Sequence, residues 1–132
     1  MPSRVKLLNN ATPGTTGTPF KIGMGQPPYT IRVWGGFTNG AGTAGTNGVN
    51  IQTSPNLSPA KPFPTAAEIA AAQWDIAIGE IGGENETEAQ TGELKDLHDK
   101  ANCMIKYYCR WIRAVSGGNM VGSTFVTFEN GR

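Results

Sequence analysis

Apolar and polar residues alternate in five stretches of this chain, and each has the two-residue period of a half-buried strand. "YTIRVW" places Tyr29, Ile31 and Val33 on one face and Thr30, Arg32 and Trp34 on the other. "VNIQTS" repeats the pattern with Val49, Ile51 and Thr53 against Asn50, Gln52 and Ser54. In "WDIAIG", Trp74, Ile76 and Ile78 oppose Asp75, Ala77 and Gly79. The longest candidate, residues 102–115, sets Tyr107, Cys109, Trp111 and Arg113 against Tyr108, Arg110, Ile112 and Ala114. Large side chains on both of its faces imply a central or covered strand. A last hairpin turns through Ser116, Gly117, Gly118 and Asn119 between two runs rich in β-branched and aromatic residues. Strands are therefore expected near 29–34, 49–54, 74–78, 104–115 and 122–129. The expected buried set is Ile31, Val33, Ile51, Trp74, Ile76, Ile78, Ile112, Phe125, Val126 and Phe128.

Between the strands the pattern lapses in four places. Residues 1–28 hold one strand-like run, at 5–8, and then Thr, Gly and Pro with little periodicity. Such a segment reads as an extended N-terminal arm, because it buries too little apolar surface of its own to offset a backbone entropy of ~1–2 kcal/mol per residue. Its apolar residues, Val5, Leu7, Leu8, Phe20 and Ile22, are then the ones expected to bind a partner, and residues 29–132 are the folded domain. The glycine-rich loop 38–48 has no lysine and leads into a strand. It therefore fits a flexible or partner-ordered hairpin tip better than a phosphate cradle. Thr65 and Glu68 are spaced as a capping box before a short helix over residues 66–73. Residues 84–100 carry Glu84, Glu86, Glu88, Glu93, Asp96 and Asp99 without the spacing of a calcium loop, and a solvated acidic loop is expected.

Composition narrows the fold class. A chain of 132 residues has room for one modest core. Its eighteen Gly and nine Pro, with aromatics at 8% and charged residues at 16%, fit a loop-rich all-β domain better than a helical bundle. The fold expected is a single antiparallel β-sandwich, jelly-roll-like, with the N-terminal arm and at most one short helix. Eleven Lys and Arg against ten Asp and Glu leave a net charge of +1. No long-range field gathers nucleic acid or an anionic membrane, so neither is an expected partner. So little charge instead points to a surface partly covered by another protein. No run approaches the ~20 apolar residues of a membrane span. The first residues lack the apolar core of a signal peptide, which leads us to expect folding in the cytosol. On that view the Asn-x-Ser/Thr triplets at Asn10, Asn56 and Asn85 carry no weight.

Candidate chemistry adds little. In a continuous strand Cys103 and Cys109 stand about 20 Å apart at ~3.3 Å per residue, far beyond disulfide reach. They are expected as free, half-buried thiols. His98, the single histidine, lies in the acidic segment. Neither a Cys–His pair nor a metal set has a recognisable local signature, so no catalytic residue, metal ligand or cofactor is expected. Trp34, Trp74 and Trp111 could stack on sugar rings, but their places in alternating strands favour core positions.

From Val49 onward the order of features resembles that of small β-sandwich virion proteins of tailed bacteriophages. The pieces that carry the likeness are "VNIQTSPNLSP", a strand running into a Ser-Pro turn, then the strand headed by Trp74, then "RWIRAVSGGNMVGSTFVTFENGR" as the closing pair. The acidic stretch 84–100 is longer and more acidic than the simple turn expected there in that group, and the N-terminal arm has no counterpart in it. The resemblance implies a non-enzymatic virion structural protein assembled in the host cytoplasm. Its first form is a capsid decoration, or cement, protein seated on the major capsid protein or other virion proteins as a symmetric homo-oligomer, with a trimer favoured. The alternatives are a tail, neck or baseplate component and, from another class, a carbohydrate-binding β-sandwich module.

Overall fold

The computed structural model describes residues 4–22, 29–55, 64–81, 93–95, 101–107 and 109–129. In chain order these form β1 (Arg4–Ala11), β2 (Phe20–Lys21), β3 (Tyr29–Trp34), β4 (Phe37–Thr38), β5 (Val49–Ser54), helix α1 (Ala66–Ala71), β6 (Asp75–Ile81), β7 (Glu93–Lys95), β8 (Ala101–Ile105), β9 (Trp111–Ser116), β10 (Val121–Gly122) and β11 (Thr124–Glu129). One sheet has the order β1-β11-β3-β8-β7, a second has β2-β9-β5-β6, and β10 with β4 makes a two-stranded ribbon. Every pairing is antiparallel. The fold is all-β and sandwich-like, with one very short helix.

The core sits between the two sheets, where the alternation seen in the sequence places it. Tyr29, Ile31 and Val33 of β3 and Val126 and Phe128 of β11 are fully buried on one side, and Ile51, Ile78, Ile112 and Ala114 on the other. The Phe128 ring joins the two layers. Its centroid lies 5.5 Å from that of Tyr29 beside it and 5.6 Å from that of Phe20 on the second sheet. Three members of the expected core fall elsewhere. Trp74 precedes β6 and is half-buried, Ile76 is 53% exposed, and Phe125 is half-buried on the outer face. Two register shifts in the β5–β6 pairing, one between Ile76 and Ile78 and one between Ile78 and Ile81, each move the alternation of β6 by one residue, so that Ile78 and Ile81 both point inward.

The N-terminal segment is not an arm. β1 pairs along β11, with Val5 opposite Phe128, Lys6 opposite Thr127 and Leu8 opposite Val126. A register shift between Lys6 and Leu8 lets the consecutive residues Leu7 and Leu8 both reach the core. After the turn at 12–14 the chain crosses to the second sheet and runs along the edge of β9. Ser116 N donates to Thr15 O (2.8 Å), Gly17 N to Ala114 O (2.8 Å) and Ile22 N to Arg110 O (2.8 Å), and Phe20 lies opposite Ile112. Residues 4–22 thus complete one side of both sheets. At Gly17 the two limbs come so close that a Cβ would collide with the Leu7 carbonyl.

The long strand expected over 104–115 is two strands in different sheets. β8 pairs with β3, β9 pairs with β5, and the chain passes from one sheet to the other between Ile105 and Trp111. This explains why both faces of the stretch bear large side chains, since each half turns a different face to the core. Helix α1 has the expected capping box: Thr65 Oγ1 accepts from Glu68 N (3.2 Å) and Glu68 Oε1 from Thr65 N (2.8 Å). It ends two residues earlier than expected and buries no residue. Of the acidic segment, residues 93–95 form β7 against β8, and residues 84–92 and 96–100 lie outside the described residues.

Candidate functional site

The five residues expected to bind a partner are engaged within the chain itself. Leu7, Leu8 and Ile22 are buried in the core, and Val5 and Phe20 pack against it. The missed signal was main-chain pairing. Residues 14–22 hold their place through backbone bonds to β9, which need no apolar pattern.

A cleft of about 330 Å³ opens where the ends of β5 and β6 meet the crossover, lined by Ser54, Asp75, Tyr107, Cys109 and Arg110 among others. Its chemistry is muted. Burial pushes the Cys109 thiol up to about 12, so it stays protonated near neutral pH and forms a wall of the cleft instead of a nucleophile. Burial raises Cys103 to about 12 in the same way, and both cysteines are free. Because the folded values lie above the ordinary thiol value of 9.0, these groups favour the fold below pH 9 and cease to do so as pH rises toward 12. Native protein at pH 8 should therefore leave both thiols unlabelled by iodoacetamide over a time in which unfolded protein is fully alkylated. Rapid native labelling of either cysteine, read by intact mass, would contradict this placement. Among the described residues no group of three or more His, Cys, Asp and Glu comes together. His98 lies outside the described residues.

The outer sheet faces carry more distinctive groupings. On the first sheet the Trp34 and Phe125 rings, cross-strand neighbours, stack at 5.4 Å with 10° between their planes, and Lys6 Nζ stands 5.7 Å from the Phe125 centroid. On the second sheet the Arg113 guanidinium lies 4.0 Å from the Trp74 centroid, and Arg113 Nε donates to Gln52 Oε1 (2.8 Å). Trp74 Nε1 donates to Ile69 O (3.1 Å), which ties α1 to this face. Two of the three tryptophans are therefore half-exposed, contrary to the expectation of core positions. Trp111 is the one that meets that expectation: it is buried, and its Nε1 has no hydrogen-bond partner among the described residues. Trp74→Ala should cost only ~1 kcal/mol, the scale of an exposed cation–π contact. Trp111→Ala should cost ~3–5 kcal/mol. Thermal melting of the two variants side by side checks this order, and a Trp74→Ala loss as large as that of Trp111→Ala would refute it.

The glycine-rich loop and the turn of the closing hairpin form one interlocked tip. Gly117 N donates to Gly48 O (2.9 Å), Asn119 N to Thr46 O (2.9 Å) and Asn119 Nδ2 to Thr46 Oγ1 (2.7 Å). Within the loop, Gly40 N donates to Asn47 O (2.9 Å) and Gly42 N to Asn47 Oδ1 (2.7 Å). Glycine is required at the contact, because a Cβ at Gly40 would strike the Asn119 carbonyl and one at Gly117 the Thr46 carbonyl. The loop expected to be flexible or ordered by a partner is ordered by the chain's own turn.

No protein-family model, curated protein or solved structure matches this chain.

Proposed function

We propose that the chain is a non-enzymatic bacteriophage virion structural protein, a capsid decoration or cement protein that stabilises the shell through symmetric protein–protein contacts. The observation that carries this reading is the make-up of the interlocked tip. It is held by backbone and amide bonds, it is built from residues without ionisable groups, and it has no reagents to position. A rigid, uncharged surface suits contact with other proteins, whose interface cores are depleted in charge. The sequence resemblance from Val49 onward supplies the virion setting and the major capsid protein as partner. Quantitative gel analysis of purified particles tests the role. Copy numbers comparable with the major capsid protein are expected, and a far smaller number would favour a tail, neck or baseplate position.

A carbohydrate-binding module is the second reading, and one observation favours it. Trp34 is half-exposed on an outer sheet face, stacked on Phe125, where an indole can receive a pyranose ring. Glycan binding by the isolated chain that is lost in Trp34→Ala would establish this reading over the first.

A further inference from the structure

Residues 35–53 and 114–128 contain no ionisable side chain, and the fold brings these two stretches together at the interlocked tip. Beside the loop and turn runs the ribbon of β4 and β10, which pair only with each other. Each strand of the ribbon thus keeps one edge without a strand partner among the described residues. Both residues of β10 are exposed, Val121 to 60%. Open edges are ordinarily guarded by Lys, by Pro or by a covering element. The run Met120, Val121, Gly122, Ser123 has neither residue type.

We propose that this tip is the surface through which copies of the chain associate, Val121 and the open edge of β10 in one copy meeting the same elements in the next. Three properties select a second copy as the occupant. The tip is fixed by its own hydrogen bonds, so association orders little that was free. It carries no charge that must be stripped of water or matched by a counter-charge, and a net charge of +1 does not drive copies apart. An exposed apolar side chain next to an open strand edge is also self-complementary, as a two-fold contact between two copies requires. The inference deepens the structural role proposed above by naming the surface of self-association. It is tested on the isolated chain, so its failure is distinct from a failure of the virion role, which particle composition decides.

Sedimentation velocity of the full chain over a range of concentrations, at low and at high salt, provides the test. A species larger than the monomer is expected at both salt concentrations. Val121→Asp should weaken it at least tenfold in dissociation constant while the far-ultraviolet circular dichroism spectrum stays unchanged. Ala44→Lys, a second exposed position on the tip, should weaken it in the same direction, which covers the case of a misfolded Val121→Asp. Lys6→Glu, on the outer face of the first sheet, should leave association intact. A chain that is monomeric throughout, association that dissolves in high salt, or association insensitive to both tip variants would each overturn the proposal.

Discussion

Deletion of residues 2–20 is expected to leave the chain unfolded. The deleted segment holds all of β1, and with it the ladder to β11 and the buried residues Leu7, Leu8 and Ala11. It also holds the backbone that covers β9 from Ser116 to Ala114, and Phe20, which packs against Phe128. Burying a leucine side chain is worth ~1.5–3 kcal/mol. Leu7 and Leu8 alone then contribute about 3–6 kcal/mol, against a total stability of ~5–15 kcal/mol for an ordinary domain. Loss of the β1 ladder and exposure of the β9 edge add to the deficit, so the truncated chain should lack a cooperative melt and a folded circular-dichroism spectrum. A truncated chain that melts cooperatively within a few degrees of the full one would show that β1 is dispensable, and would restore the picture of an arm.

What the sequence disclosed and what it hid follow one physical division. Alternation reports a strand whose two faces meet different surroundings, as β3 does with Tyr29, Ile31 and Val33 inward and Arg32 in solvent. It fails where a register shift inserts a residue. Leu7 and Leu8 are both inward in β1, and a shift in the β5–β6 pairing turns Ile76 outward while Ile78 stays in. It is silent over residues 14–19, which main-chain bonds to β9 and the Ser116 hydroxyl hold without an alternating apolar pattern. The crossover between β8 and β9 was hidden for a different reason: each looks like part of one strand, and only their partners reveal two sheets. The capping box of α1 was fully legible because it depends on residues three positions apart. The tip was half legible. Its glycines announce turns, but the reason for them is the approach of Asn119 and Thr46 from distant parts of the chain.

That division also bears on function. Charge and motif content were read directly from the sequence, whereas the surfaces open to a partner depended on which apolar residues the fold had already used. Val5, Leu7, Leu8, Phe20 and Ile22 looked free for a neighbour and are committed to the core. Val121 drew no notice in the alternation and is 60% exposed at the ribbon.

Phe128→Ala should be among the most damaging single substitutions, at about 3–5 kcal/mol. Phe125→Ala, three residues earlier on the same strand, should cost far less. The contrast isolates burial, because strand and residue type are shared. Phe128 is fully buried between Val5 of β1 and Ile31 of β3, and its ring meets Tyr29 and, across the sandwich, Phe20. Phe125 lies on the outer face, where its neighbours are the Trp34 ring and the Lys6 ammonium, and water fills much of what truncation vacates. A double-substitution cycle of Phe128 with Phe20 sharpens the test. A direct aromatic contact between the sheets predicts a coupling of ~0.5–1.5 kcal/mol, so that Phe20→Ala costs less once Phe128 is already alanine. Urea denaturation of the four proteins supplies every term. A larger loss for Phe125→Ala than for Phe128→Ala would mean that β11 is out of register by one residue, since a single-residue slip exchanges its two faces, and additive losses for Phe20 and Phe128 would mean that the sheets do not meet at these rings.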